Sequence, residues 1–127
     1  MLKRFSYTSD TQDASATKAV INSIELTLST VLTVPLDSEC AIVTIDVQNM
    51  DQTANIIVGV TRNLVRISTM LYSLTEWNNI VLDSKEFLEG GDSLVLGSDV
   101  DGVMFSVSCD ISKSEQVDED EVVQSQE

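Results

Sequence analysis

The chain has 127 residues, 43% of them hydrophobic, which is enough for one domain around one packed core. Its 21 acids against 7 bases leave a formal charge of −14, which repels phosphate backbones and anionic membranes and argues against either as a partner. No apolar run approaches the roughly 18–20 residues of a membrane helix, and the sequence contains no histidine.

In chain order, residues 1–18 read as an N-terminal arm. Lys3 and Arg4 resemble the start of a signal peptide, but the polar stretch 6–17 stands where its apolar core should be. The expectation is a protein made and folded in a cytoplasm. Leu2, Phe5 and Tyr7 are the arm's apolar anchors and its candidate docking residues, and a plain disordered terminus is the alternative.

Residues 19–113 read as the folded domain. Ile24, Leu26 and Leu28 alternate with Glu25 and Thr27, the period of a strand with one buried face. An apolar run at 31–34 stops at Pro35, which cannot donate to a sheet ladder and so marks a strand end before the turn 35–39. The clearest alternation follows, with Ala41, Val43, Ile45 and Val47 on one face and Thr44, Asp46 and Gln48 on the other. Asn49, Met50, Asp51 and Gln52 form a turn, and further apolar runs stand at 56–60 and 64–67.

Residues 70–79 fit either a strand and loop or one helical turn. They contain Tyr72 and Trp77, and Trp77 is a further docking candidate. With Asn78 and Asn79 it could also form a sugar- or receptor-binding platform, although isolated aromatics more often pack internally. After a run at 80–82, the turn 89–92 brings Gly90 and Gly91, which can take positive φ, and Asp92, which can accept backbone N–H bonds. A run at 94–96 and a loop at 97–102 lead to the final alternation. There Val103, Phe105, Val107, Cys109 and Ile111 face inward, and Ser106, Ser108 and Asp110 face outward.

Residues 114–127 hold six acids and no base, leaving −8 on residues 1–113, and read as a solvated acidic tail. A short helix over 117–123 would need something to cover Val122 and Val123. Short strands rich in β-branched residues, separated by glycine and proline turns, predict an all-β fold. The expected architecture is an antiparallel β-sandwich, jelly-roll-like or immunoglobulin-like.

No residue pattern in the sequence assembles a catalytic or ligand site. With no histidine, Ser-His-Asp and Cys-His catalysis are excluded. The Gly90-Gly91 turn has no following Lys-Ser or Lys-Thr and places acids where a phosphate would sit. A carboxylate-pair hydrolase needs a cleft, which a small domain with 5% aromatics is poorly equipped to build. Cys40 and Cys109 read first as small buried hydrophobes, with a redox pair as the alternative. Two thiolates without histidine supply half of a zinc site. Asp99, Asp101 and Gly102 suggest calcium, but the twelve-residue loop and its distal glutamate are missing, so a tight turn is the preferred reading. No catalytic residue, cofactor or metal is therefore expected.

Residues 29–35 (Ser-Thr-Val-Leu-Thr-Val-Pro), the strand 40–48, Asn49 and the strand 53–60 resemble a pattern recurrent in small β-sandwich proteins of tailed phages. In that pattern a strand ending in Leu-Tyr-Thr-Val-Pro precedes a polar turn, an alternating Ile/Val strand and an asparagine turn. The second half is similar too, in residues 80–82, the Leu-x-x-Gly-Asp-x-Leu turn at 88–94 and the closing strand 103–111. The resemblance spans 29–111 and departs from the pattern at 61–79 and in the acidic tail. It implies a virion structural protein: a capsid decoration or cement protein, or a neck or tail adaptor. Such proteins form symmetric homo-oligomers, trimers among them, and dock on major capsid or neck and tail proteins. No catalytic residue carries over.

Overall fold

A computed structural model describes residues 2–63, 65–82 and 87–113, with 66–68 in their backbone alone. The acidic tail and short helix expected beyond residue 113 lie outside these residues. The described chain is all-β. Its strands are β1 (Leu2–Thr8), β2 (Thr17–Ile21), β3 (Ile24–Thr33), β4 (Ser38–Gln48) and β5 (Ala54–Arg62). They continue with β6 (Val65–Leu74), β7 (Asn79–Leu82), β8 (Phe87–Leu88), β9 (Ser93–Ser98) and β10 (Met104–Lys113). Every pairing is antiparallel. One sheet runs β1-β10-β4-β7, with β8 also on β4, and the other runs β2-β3-β9-β5-β6.

The alternation read in the last strand places Phe105, Val107 and Cys109 inward, all at most 2% exposed. They join Cys40, Ile45 and Val47 of the same sheet and Leu32, Ile56, Val58, Leu94 and Leu96 of the other in one cluster. The second sheet is apolar on both faces: Leu26, Leu28 and Ile57 form a separate cluster with Ala19, Ile21 and Leu71. This explains why 56–60 is an unbroken apolar run rather than an alternation, since a strand covered on both sides has no polar face.

Two expectations are corrected. Val43 does not share the buried face of Ile45 and Val47: it is 44% exposed, and Ile42, at 3%, takes the inward position. The cause is a β-bulge, because β10 pairs Ser108 with Thr44 but Cys109 with Ile42, leaving Val43 as the extra residue. Residues 1–18 are not a free arm over their described part. β1 adds to the edge of β10 in register from Leu2 opposite Asp110 to Thr8 opposite Met104, and β2 begins at Thr17. Phe5 and Tyr7 alternate with polar neighbours and pack on the main cluster, a period-two signal two residues long. The stretch 70–79 is strand to Leu74 followed by a turn, without a helical turn.

Candidate functional site

Where β4 ends and β7 begins, Gln48 and Asn79 lie opposite each other, bringing the turns 49–53 and 75–78 together. Asn49, 1% exposed, braces both. Its side-chain amide donates to the carbonyls of Gln52 and Thr75, and its backbone N–H donates to the carbonyl of Asn78. The Trp77 N–H donates to the Met50 carbonyl at 2.7 Å. The Gln52 amide donates to the Asp101 carbonyl at 2.7 Å, and an Asp101 carboxylate oxygen accepts the Thr11 N–H at 2.6 Å. Four loops are thereby tied at one end of the fold.

From that frame Trp77 projects, 64% exposed, beside Met50 at 42%. Its backbone has φ +59°. Among the described residues, the other non-glycine positions with positive φ are Asn22, Ser23 and Asn63, small polar types suited to hairpin turns. A tryptophan there costs about 1–2 kcal/mol. A bulky aromatic is thus held against its backbone preference, exposed, on a turn that the buried Asn49 braces. Tryptophan is enriched among the anchor residues of protein interfaces, and strained backbone clusters at functional sites.

The structure separates the candidate docking residues instead of gathering them. Phe5 lies opposite Val107 and Tyr7 opposite Phe105, with the Tyr7 and Phe105 rings 5.6 Å apart, so both belong to the core edge. Leu2 faces the other way and is 69% exposed. Thr8, Met104, Gln48 and Asn79 make one row across the sheet near Trp77. Leu2 pairs six positions farther along β10, about 20 Å of strand away. Asn79 is exposed on the Trp77 turn and Asn78 is half-buried. Met50 and the bracing role of Asn49 are not among the residues expected from the sequence. The signal was there in Asn49 itself, whose side chain can bond backbone groups a few residues on.

Asp99 and Asp101 are committed to loop bracing. The Asp99 carboxylate accepts the backbone N–H and the side-chain amide of Asn55, each at 2.8 Å. Cys40 and Cys109 are free thiols, both 0% exposed, on neighbouring strands of the core. Burial, reinforced by the adjacent Cys109, pushes the Cys40 thiol up to about 12. Burial raises Cys109 as well. Neither supplies thiolate near neutral pH. Native protein at pH 8 therefore stays unlabelled by a disulfide reagent such as DTNB, and both thiols react once urea unfolds it; rapid native labelling would contradict this.

No protein-family model, curated protein or solved structure matches the chain.

Proposed function

We propose that this chain is a non-catalytic structural protein of a tailed-phage virion, a decoration or cement protein docking on assembled subunits. Its two sheets would pack as a jelly-roll-like or immunoglobulin-like β-sandwich. The phage setting rests on the resemblance over residues 29–111. The docking role is carried by one observation, the exposed Trp77 at positive φ above the buried Asn49. With β1 built into a sheet, docking falls to this braced end. Trp77 would enter an apolar pocket on a shell subunit, with Met50 as its flank. Many copies bound to an assembled surface favour the assembled state by mass action. The protein would be made in the host cytoplasm, act as a symmetric homo-oligomer, and need neither nucleic acid nor membrane as a partner.

Trp77→Gly separates docking from folding. Glycine relieves the left-handed backbone, so the unfolding free energy should rise by about 0.5–1 kcal/mol. Occupancy on purified particles should fall at least about tenfold with the loss of an anchor. Thermal unfolding and quantitative composition of the particles read the two effects, and full occupancy by the variant would defeat the docking role. A second reading, a receptor- or carbohydrate-binding tip, is favoured by the exposure of Trp77 and Asn79 on one turn. It predicts that the same variant occupies particles normally but adsorbs poorly to host cells. Copy number places the protein: hundreds per particle indicate the shell, about a dozen or fewer a neck or tail position.

A further inference from the structure

Lys3 and Arg4 are neighbours on β1, the outer strand of the first sheet, and both are exposed. Among the described residues, Arg62 and Lys113 hold carboxylates and Lys18 donates to the Thr11 carbonyl, whereas Lys3 and Arg4 make no side-chain hydrogen bond or ion pair. β1 itself, Leu-Lys-Arg-Phe-Ser-Tyr-Thr, contains no acid. Its pairing is with β10, so its other edge carries the backbone N–H and C=O groups that point away from β10. Cations on such an edge discourage a like-charged strand from adding to it. The same charges favour an extended segment that is acidic.

The chain supplies such a segment close by. Residues 114–127 hold six acids and no base. They follow Lys113, the last residue of β10, which lies four ladder positions beyond Cys109, the residue opposite Lys3. Four positions are about 14 Å along the strand, and the free edge of β1 lies about 10 Å to the side, two strand spacings away. Five extended residues span the resulting distance of about 17 Å. The run Asp118, Glu119, Asp120 and Glu121 is therefore long enough in its tether to reach Lys3 and Arg4. Covalent attachment raises the local concentration of these acids to the millimolar range, which suits contacts as weak as exposed ion pairs. A second copy presenting its own β1 brings the same two cations and no acid in that strand.

We propose that the acidic segment 114–127 folds back along the free edge of β1, where Lys3 and Arg4 hold Asp118, Glu119, Asp120 and Glu121. The contact shields an open strand edge from pairing with other chains. High salt, or a more strongly cationic partner competing for the acids, releases it. The contact is independent of the docking reading, since Lys3 stands five ladder positions from Thr8, whose row lies near Trp77.

The test places a nitroxide on the full chain at Gln124→Cys and follows the broadening of backbone amides by NMR. Cys40 and Cys109 are buried and take no label, which wild-type protein treated in parallel verifies. The reference is the same labelled chain with Asp118→Asn, Glu119→Gln, Asp120→Asn and Glu121→Gln. In about 20 mM salt the amides of Lys3, Arg4, Phe5 and Ser6 should broaden at least about threefold more than in that reference, the scale of two exposed ion pairs. Lys3→Gln with Arg4→Gln should remove the difference while the unfolding temperature moves by less than about 3 °C, as for other exposed substitutions. So should about 0.5 M salt, where the screening length falls to about 4 Å. The proposal is overturned if the neutralised chain broadens β1 equally, if the broadening persists in high salt, or if it falls on another strand. It is equally overturned if, in a mixture, nitroxide-bearing chains broaden β1 of isotope-labelled chains without nitroxide as strongly as their own, which would make a second copy the donor of the acidic segment.

Discussion

Replacing Asp92 with alanine lowers the unfolding free energy by about 3 kcal/mol, an effect large beside the stability of a small domain. The Asp92 carboxylate is wholly buried. One oxygen accepts Arg62 Nε at 2.7 Å, and the other accepts Arg62 Nη2 and the Glu89 N–H, each at 2.9 Å. The surrounding backbone closes the same turn. Val34 donates to the Asp92 carbonyl at 2.9 Å, and the N–H of Gly91, at φ +93°, donates to Val34 at 2.8 Å. A Cβ on Gly90 would clash with the Leu36 carbonyl oxygen, so the 89–92 turn lies directly on the segment 34–36 that follows β3. Alanine at 92 strands the Glu89 N–H, while Arg62, 45% exposed, can turn to water. That places the loss at the low end of the values for broken buried pairs.

The same carboxylate gives the effect a pH signature. Hydrogen bonds from Arg62 hold Asp92 below its ordinary value, against the opposing pull of burial. A depressed folded value means that the unfolded chain binds the proton first. The stabilisation is therefore whole above the unfolded value of about 4 and drains away as pH falls through the folded one. Asp37, held low by Lys113, and Asp101, held low by the Thr11 N–H, titrate in both proteins and cancel in the difference. Urea unfolding from pH 7 down to pH 2 should show wild type and variant converging in acid. Parallel curves would mean that Asp92 does not stabilise as a charge.

The turn that Asp92 closes was legible because glycine and aspartate have few other uses at such a corner. Its partner was not, since Arg62 lies thirty residues away and only the pairing of β5 with β9 brings the two together. The same limit applies to the strands. Phe105, Val107 and Cys109 could be read inward because β10 runs straight through the core. Val43 was misassigned because a bulge shifts parity without leaving a local mark. β1 and β2 were missed because edge strands bury little, so Phe5, Tyr7, Ala19 and Ile21 make too short a pattern to stand out. At the docking end, the exposure of Trp77 was foreseen as one option, but its strained backbone and Asn49 brace depend on two turns 26 residues apart meeting.

Deleting residues 2–8 should cost on the order of 4 kcal/mol, and for that reason it is the wrong experiment for docking. β1 pairs with β10 along its whole length, and Phe5 and Tyr7 cover Val107 and Phe105. Ser9, just beyond, fastens the loop 100–103: its hydroxyl donates to the Val100 carbonyl at 2.7 Å and accepts the Val103 N–H at 2.9 Å. The truncated chain no longer has to order seven residues, which offsets part of the lost burial. It also bares the edge of β10, an unpaired strand edge prone to self-association. Leu2→Ala, at a largely exposed position, should by contrast change stability by less than about 0.5 kcal/mol. Urea unfolding with sedimentation velocity distinguishes these outcomes; wild-type stability in the truncated protein would return residues 2–8 to the status of an arm. If the deletion destabilises as expected, its absence from particles reports folding, whereas Trp77→Gly, which keeps both sheets and loses only the projecting ring, reports contact.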